Sequence, residues 1–254
     1  MISDLAYNAL LKEVELTPKP GLVDKNNNGS HKDMCVETFY ASAKAIKPFI
    51  DKFLQLKEFS ELRRVGKECE DAMFKATKGV NTHKGMIFSL AVICSSIGKT
   101  DSFESLQRDI KILCKDLVKH DLKNIKQVKT HGEEFYVKTK CAGIRAEAQS
   151  GYATIFSKSL PFYEKNFLKY GEDIAMKLTL VYLMSFVDDS TLFARGGEKG
   201  LNFVKNKAKK ILYVDNLEKN LKELDKKMIE KNLSAGGSAD LLALTWFLFN
   251  FKYL

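Results

Sequence analysis

Six polar, glycine-bearing segments hold most of the side chains in this chain that could do chemistry. They read "TPKPGLVDKNNNGSHKDM" (17–34), "GVNTHKG" (79–85), "THGEEF" (130–135), "GIRAEAQSGY" (143–152), "DDSTLFARGGEKG" (188–200) and "SAGGSAD" (234–240). Three of the four histidines and two of the five arginines fall inside them, which suggests one composite site rather than scattered loops. Asp188 and Asp189 stand side by side after an apolar run, where one carboxylate could ligate a hard metal and the other accept a proton. Asp24, Asp33, Glu147 and Asp240 are further carboxylates in these segments. A single aspartate in such a place also suits a helix N-cap, and Asp24 and Asp240 are read as structural caps.

The same segments suit a phosphorylated ligand. Glycine lets backbone N–H groups approach an anion, and a helix N-terminus adds a favourable dipole. Arg195, Gly196 and Gly197 are expected just before one helix. Gly236, Gly237 and Ser238 are expected just before another, with Ser238 as its N-cap. A Gly-Gly pair can equally be a plain turn between helices. Arginine is scarce, five of 41 basic residues, so Arg145 and Arg195 suggest bidentate, permanently charged contacts. His31 in "GSHKD" and His83 in "NTHKG" could anchor a ligand, act as acids, bind phosphate or simply cap a helix. His131 is a third such residue. Magnesium-bound triphosphate requires this mixture of carboxylates, cations and backbone N–H groups. His120 and Asp121 form the HD dipeptide of metal-dependent phosphohydrolases, yet the chain lacks the further histidines those sites need. There is no P-loop, no GxGxxG after a strand, no HExxH and no GxSxG.

Helices must position these groups. Apolar residues recur at helical spacing over 3–15, 33–56 (with a kink at Pro48), 58–78, 86–97, 102–119, 121–128, 144–157, 171–187, 197–212, 215–231 and 238–251. Sustained strand alternation is missing. The expected fold is all-α: a single globular domain, 1–254, of about ten helices, with a composite site formed by helix ends and loops. "MIFSLAVICSSI" and "LLALTWFLFNF" are apolar all round and read as central buried helices, the latter too short to span a bilayer.

Composition narrows the class. With 254 residues and 45% hydrophobic content the chain can bury a sizeable core. The net charge of +9 comes mostly from lysines interleaved with acids, as in "KNKAKKILYVDNLEKNLKELDKK", which reads as solvated helix faces before a nucleic-acid surface. Five cysteines, an odd number without CxxC, argue against a disulfide framework or a zinc site. The opening "MISDLAYNALLKEVEL" is amphipathic and acidic, unlike a leader peptide. A cytoplasmic location is expected, with no nucleic-acid or membrane partner.

The opening loop, together with "GVNTHKG", "DDSTLFARGG" and "GGSADLLALTWFL", resembles the triphosphoribosyl-dephospho-CoA synthase family. The resemblance runs from about residue 13 to 249, with the motifs in the family's order, and "TPKPGLVD" followed by "NNGSHKDM" is its most specific part. It implies a transferase that joins ATP to 3′-dephospho-CoA and releases adenine. The 2′-hydroxyl of dephospho-CoA attacks C1 of ATP's ribose while the triphosphate is retained. The product would be the prosthetic-group precursor for the acyl carrier protein of citrate lyase or malonate decarboxylase, attached by a separate transferase. Such a site must hold two nucleotides in line, assist a departing purine and exclude water. The resemblance places Lys19, His31, Lys84, Arg145 and Arg195 on the triphosphate, with backbone from Gly196, Gly197, Gly236 and Gly237 beside Ser238. It gives Asp33, Glu147, Asp188 and Asp189 to Mg²⁺ and base work, and Asn28, Asn81 and His83 to ribose or purine contacts. The chain departs from the family pattern at Ala146, Ser190 with Thr191, and Ala235, where relatives often carry glycine, Thr-Asn and proline. Two other readings compete: a metal-dependent phosphohydrolase on an all-α scaffold, and a basic helical protein that binds nucleic acid.

Overall fold

Among the described residues, every regular element of the computed structural model is helical. All residues except 124, 126 and 129 are described. The helices are α1 (Ile2–Glu15), α2 (Val36–Gln55), α3 (Phe59–Ala76), α4 (Lys84–Ile97), α5 (Phe103–Leu113), α6 (Leu117–Leu122), α7 (His131–Thr139), α8 (Gly143–Gln149), α9 (Leu160–Tyr170), α10 (Glu172–Phe186), α11 (Ser190–Ile211), α12 (Leu217–Glu230) and α13 (Gly236–Lys252). A π-helical turn, Ile155–Ser159, leads directly into α9. The all-α expectation holds, with somewhat more helices than the periodicity suggested.

The differences have local causes. The expected helix 102–119 divides because Asp116 takes a left-handed conformation (φ 58°) between α5 and α6. Helix 121–128 does not form, since α6 ends at Leu122; residues 124 and 126 of that expectation lie outside the described ones. Helix 144–157 is interrupted at Gly151 and Tyr152, both at positive φ. Helix α9 was not expected. Nor was α7, although "THGEE" carries its start signal: Thr130 and Glu133 form a reciprocal capping box. Helix α2 passes through Pro48 without ending.

One apolar core runs from Ala6 of α1 to Phe249 of α13. Helices α4 and α13, apolar all round, lie inside it as their composition requires. Helix α13 packs against α1, α4, α9, α10 and α11. Burying side chains such as Leu244 and Phe247 contributes about 1.5–3 kcal/mol each. The buried hydroxyls Ser159 and Thr245 satisfy each other at 2.6 Å, and Thr245 also donates to the Leu241 carbonyl. No described helix is long and apolar enough to cross a membrane.

Helix α11 bends at Gly197, whose φ of 58° and ψ of −162° suit glycine alone. The helix expected from residue 197 therefore begins earlier, at Ser190, and Arg195 and Gly196 belong to its first segment. The first turns of α4, α8, α11 and α13 all line a common cavity.

Candidate active site

That cavity has a volume of about 1010 Å³. This is the upper end of ordinary ligand clefts, roughly 300–1,000 Å³, and leaves room for more than one nucleotide-sized ligand. Four helix N-termini bring partial positive charge to its wall. Acidic and basic side chains nearly balance along the lining, seven Lys or Arg residues against eight Asp or Glu residues. Much of its attraction for an anion must therefore come from helix termini and from cations that exchange partners.

The 17–34 loop is pinned from both sides. Asp24 accepts N–H groups from Lys19 (3.0 Å), Asn26 (2.7 Å) and Asn27 (3.0 Å), so it braces the loop and does not cap a helix. Asp225 of α12 accepts from Gly21 N (2.8 Å) and Asn27 Nδ2 (3.2 Å). Ser30 donates to the carbonyls of Met228 and Leu233. Lys19 itself is fully buried, and its ammonium binds the Glu13 carbonyl at 2.9 Å and the Glu13 carboxylate. The cation expected on a phosphate is thus already committed to Glu13.

His31 links this loop to two others. Arg195 can only donate, so its Nη2 places a proton on His31 Nδ1 at 3.1 Å, and His31 Nε2–H donates to Ser234 Oγ at 2.9 Å. Burial and the Arg195 charge hold the imidazole neutral, with its pKa lowered to about 4. Arg195 Nη1 also donates to the Ser30 carbonyl and to Asn232 Oδ1, each at 2.8 Å.

His83 precedes α4 and is buried. Thr82 Oγ1 donates to Ser42 Oγ (2.7 Å), which leaves the Ser42 proton for His83 Nδ1 (2.6 Å). The ring proton then sits on Nε2, which has no partner among the described residues. Burial lowers the pKa from 6.5 to about 3. The unfolded histidine takes a proton as pH falls below 6.5, whereas the folded one does not. Stability from this group is therefore complete above pH 6.5 and declines as pH drops toward about 3. Between pH 7 and 5 the loss amounts to about 2 kcal/mol. Urea unfolding of the wild type and His83→Asn at both pH values is expected to show that extra loss in the wild type alone. Equal losses would mean that His83 is not held neutral.

The carboxylates divide by role. Asp189 is the N-cap of α11, accepting from Thr191 N (2.9 Å) and Leu192 N (3.2 Å), while its second oxygen accepts from Ser238 N (2.8 Å) and Oγ (3.1 Å). Burial raises its pKa against those donors. Asp188 is exposed and paired with Lys205. Glu147 accepts from Thr154 Oγ1 at 2.6 Å and its pKa is raised by burial. Asp33 is exposed, 3.9 Å from His31. Among the described residues no three His, Cys, Asp or Glu side chains group closely enough to hold a metal by themselves. The donor set instead fits magnesium carried in on a triphosphate, which usually needs only one or two protein carboxylates. Asp188 and Asp33 have exposed oxygens for that.

Arg145 and Lys84 line the cavity but meet acids: Arg145 Nε donates to Asp121 at 2.9 Å, and Lys84 lies 3.3 Å from Glu70. Asp121 also receives Arg63, while His120 is exposed and outside this cavity, so the HD dipeptide forms no metal pair here. Asn81, Gly236 and Gly237 line the cavity; Asn28, Gly196, Gly197 and Ser238 do not. The glycines mostly serve close packing. A Cβ on Gly196 would stand 2.4 Å from Leu233 Cδ2, one on Gly236 3.2 Å from Thr191 Oγ1, and one on Gly237 3.2 Å from the Asp189 carboxyl. Ser238 is not an N-cap, because α13 starts at Gly236 with Ala235 before it. Asp240 is not a cap either; it lies inside α13 and faces the cavity, as does Glu13. Glu13 lies in the last turn of an amphipathic helix, with no local sign of its buried partner.

A family profile described as ATP:dephospho-CoA triphosphoribosyl transferase (CitG) matches residues 1–254. The chain belongs to this family. Curated relatives agree with that placement. A probable 2-(5″-triphosphoribosyl)-3′-dephosphocoenzyme-A synthase of Photobacterium profundum is 42% identical, covering 98% of this chain and 86% of the relative. Its namesake in Vibrio cholerae is 42% identical over 100% of this chain and 89% of the relative. The 2-(5″-triphosphoribosyl)-3′-dephosphocoenzyme-A synthase of Pectobacterium atrosepticum is 39% identical over 98% and 89%. No solved structure matches the chain. Within the triphosphoribosyl transferase family, the departure at Ala146 is explained locally: it lies inside α8, where a side chain is accommodated and exposed.

Proposed function

We propose that this chain joins ATP and 3′-dephospho-CoA to give 2′-(5″-triphosphoribosyl)-3′-dephospho-CoA, with release of adenine. The carrying observation is the family match over the whole chain, supported by one large cavity walled by four helix N-termini. Helix termini hold a triphosphate without cleaving it, because backbone N–H groups bind anions yet supply neither nucleophile nor base. Arg195, Arg145 and Lys84 would add charge by exchanging their present partners for phosphate oxygens. A magnesium ion carried on ATP would neutralise part of the triphosphate in a cavity whose acidic and basic side chains nearly balance. Asp188 and Asp33 would face it. The pinned 17–34 loop supplies a rigid wall, so that the 2′-hydroxyl rather than water reaches C1. The product would pass to a separate transferase that loads an acyl carrier protein of citrate lyase or malonate decarboxylase, in the cytoplasm.

The test is chromatography of the protein with ATP, magnesium and 3′-dephospho-CoA. Adenine should appear only when dephospho-CoA is present, together with a CoA derivative heavier by one triphosphoribosyl group. Chelation of magnesium should stop both. Inorganic phosphate or pyrophosphate in place of adenine would refute the reading in favour of a phosphohydrolase.

A further inference from the structure

Among the described residues, three partly or fully buried carboxylates of the cavity wall are hydrogen-bonded and a fourth, the half-buried Asp240, is not. Glu13 holds Lys19, Asp189 holds four donors, and Glu147 holds Thr154. Asp240 makes no hydrogen bond or ion pair to any described residue, though it lines the cavity from α13. Its Oδ2 sits over the first turn of α4, where a Cβ on Gly85 would stand only 2.8 Å away. The charged groups around it are the Glu13 carboxylate from α1, Asp189 at the start of α11 and the Lys19 ammonium from the opening loop. Burial, reinforced by the two carboxylates, holds its pKa well above the ordinary range, and Lys19 opposes this weakly because Glu13 already pairs with it. Asp240 therefore lines the ligand cavity as an unpartnered carboxyl whose protonated form its surroundings favour.

Its position along α13 gives that proton a destination. Asp240 lies four residues beyond Gly236, about 6 Å deeper along the helix than the N-terminal turn suited to phosphate. One turn further on is Ala243, and with Leu10 of α1 and Ile87 and Ala91 of α4 it lines an apolar part of the same cavity. A flat, weakly solvated purine fits among such side chains, with the triphosphate behind it at the helix ends.

We propose that Asp240 is the general acid that protonates the departing adenine. This rests on the reaction given under Proposed function. The C1–N9 bond of ATP breaks and its electron pair goes to the purine, which takes the Asp240 proton on a ring nitrogen and leaves as neutral adenine. The 2′-hydroxyl oxygen forms the new bond to C1. Its proton passes to another carboxylate of the cavity lining and then to water. Asp240 regains a proton from solvent after the products leave, so charge and protons balance over the cycle.

The experiment compares ATP with its N7-methylated analogue, whose purine is cationic and departs neutral without a proton. Wild-type protein is first shown to release adenine in the presence of dephospho-CoA; failure there refutes the reaction and not the role of Asp240. Asp240→Asn and Asp240→Ser are assayed together, each checked for a cooperative thermal transition, so that one folded variant suffices. Loss of general acid catalysis should lower kcat with ATP by about 10²–10⁴-fold. With the methylated analogue the same variant should lose less than about tenfold, since the acid step, and with it the 10²–10⁴-fold, is bypassed. The wild-type fall of kcat at high pH should vanish in the variant. Equal losses on both substrates, or a change confined to KM, would overturn the proposal and leave Asp240 a positioning residue.

Discussion

Replacing Lys19 with methionine is expected to lower the unfolding free energy by about 3–5 kcal/mol, the cost of leaving a buried carboxylate without its cation. The Lys19 and Glu13 side chains are only 2% and 7% exposed, and the ammonium contacts both the carboxylate and the carbonyl of Glu13. The deficit should be readable in urea unfolding and as a lower thermal midpoint, by roughly 2–4 °C per kcal/mol for a chain of this size. The double variant Glu13→Leu with Lys19→Met should regain most of the stability, because two apolar groups need no partner. It should not regain activity, since Lys19 and Glu13 are among the charges that act on Asp240 at the cavity wall. A Lys19→Met protein as stable as the wild type would show that the pair is solvated in solution. Stability without function in the double variant is the signature of a charge pair kept for the site rather than for the fold.

This pair also marks where the sequence stops being legible. Helices such as α1, α3, α4, α10 and α13 were read nearly to their ends, because their apolar residues recur at the period that packing demands. The breaks were missed where a single residue adopts a left-handed conformation, as Asp116 and Tyr152 do, since neither residue type announces that choice. Helix α7 is legible from Thr130 and Glu133, although the glycine after His131 also suits a loop. In the site, the motif residues did converge: His31, Asp33, His83, Lys84, Arg145, Glu147, Asp188, Asp189 and Arg195 line one cavity. What local sequence cannot show is which partner each of them already holds. Glu13 comes from the last turn of α1 and Asp240 from the second turn of α13, and only the packing of α13 on α1 and α4 brings them together. Gly236 and Gly237 looked like phosphate glycines, yet the space they leave is taken by Thr191 and Asp189. The Gly-Gly pattern reports close helix contact, and ligand binding follows from it because the contact aligns two N-termini.

That alignment makes Asp189→Ala the most damaging change expected at the helix junction. One oxygen of Asp189 caps α11 and the other holds the backbone N–H and hydroxyl of Ser238 in the first turn of α13. Removing an N-cap costs about 0.5–2 kcal/mol, and leaving a buried donor unpaired costs about 1–3 kcal/mol more. The carboxylate also lies between two positive helix ends, which repel each other once it is gone. Unfolding should therefore occur at clearly lower urea concentration. Adenine release should fall by at least about 10²-fold in the protein that remains folded, because displacing Gly236 and Gly237 by even 1 Å misaligns a ligand held at those termini. Asp188→Asn provides the contrast. Its side chain is exposed and touches Lys205 at the surface, so the unfolding midpoint should stay where it is. If Asp188 faces the magnesium of bound ATP, that variant should instead need more magnesium for the same rate. Two neighbouring aspartates would then separate cleanly, one holding the helix ends in register and the other meeting the ligand. Asp189→Ala with unchanged stability would refute the junction argument, and with it the account of why two glycines precede α13.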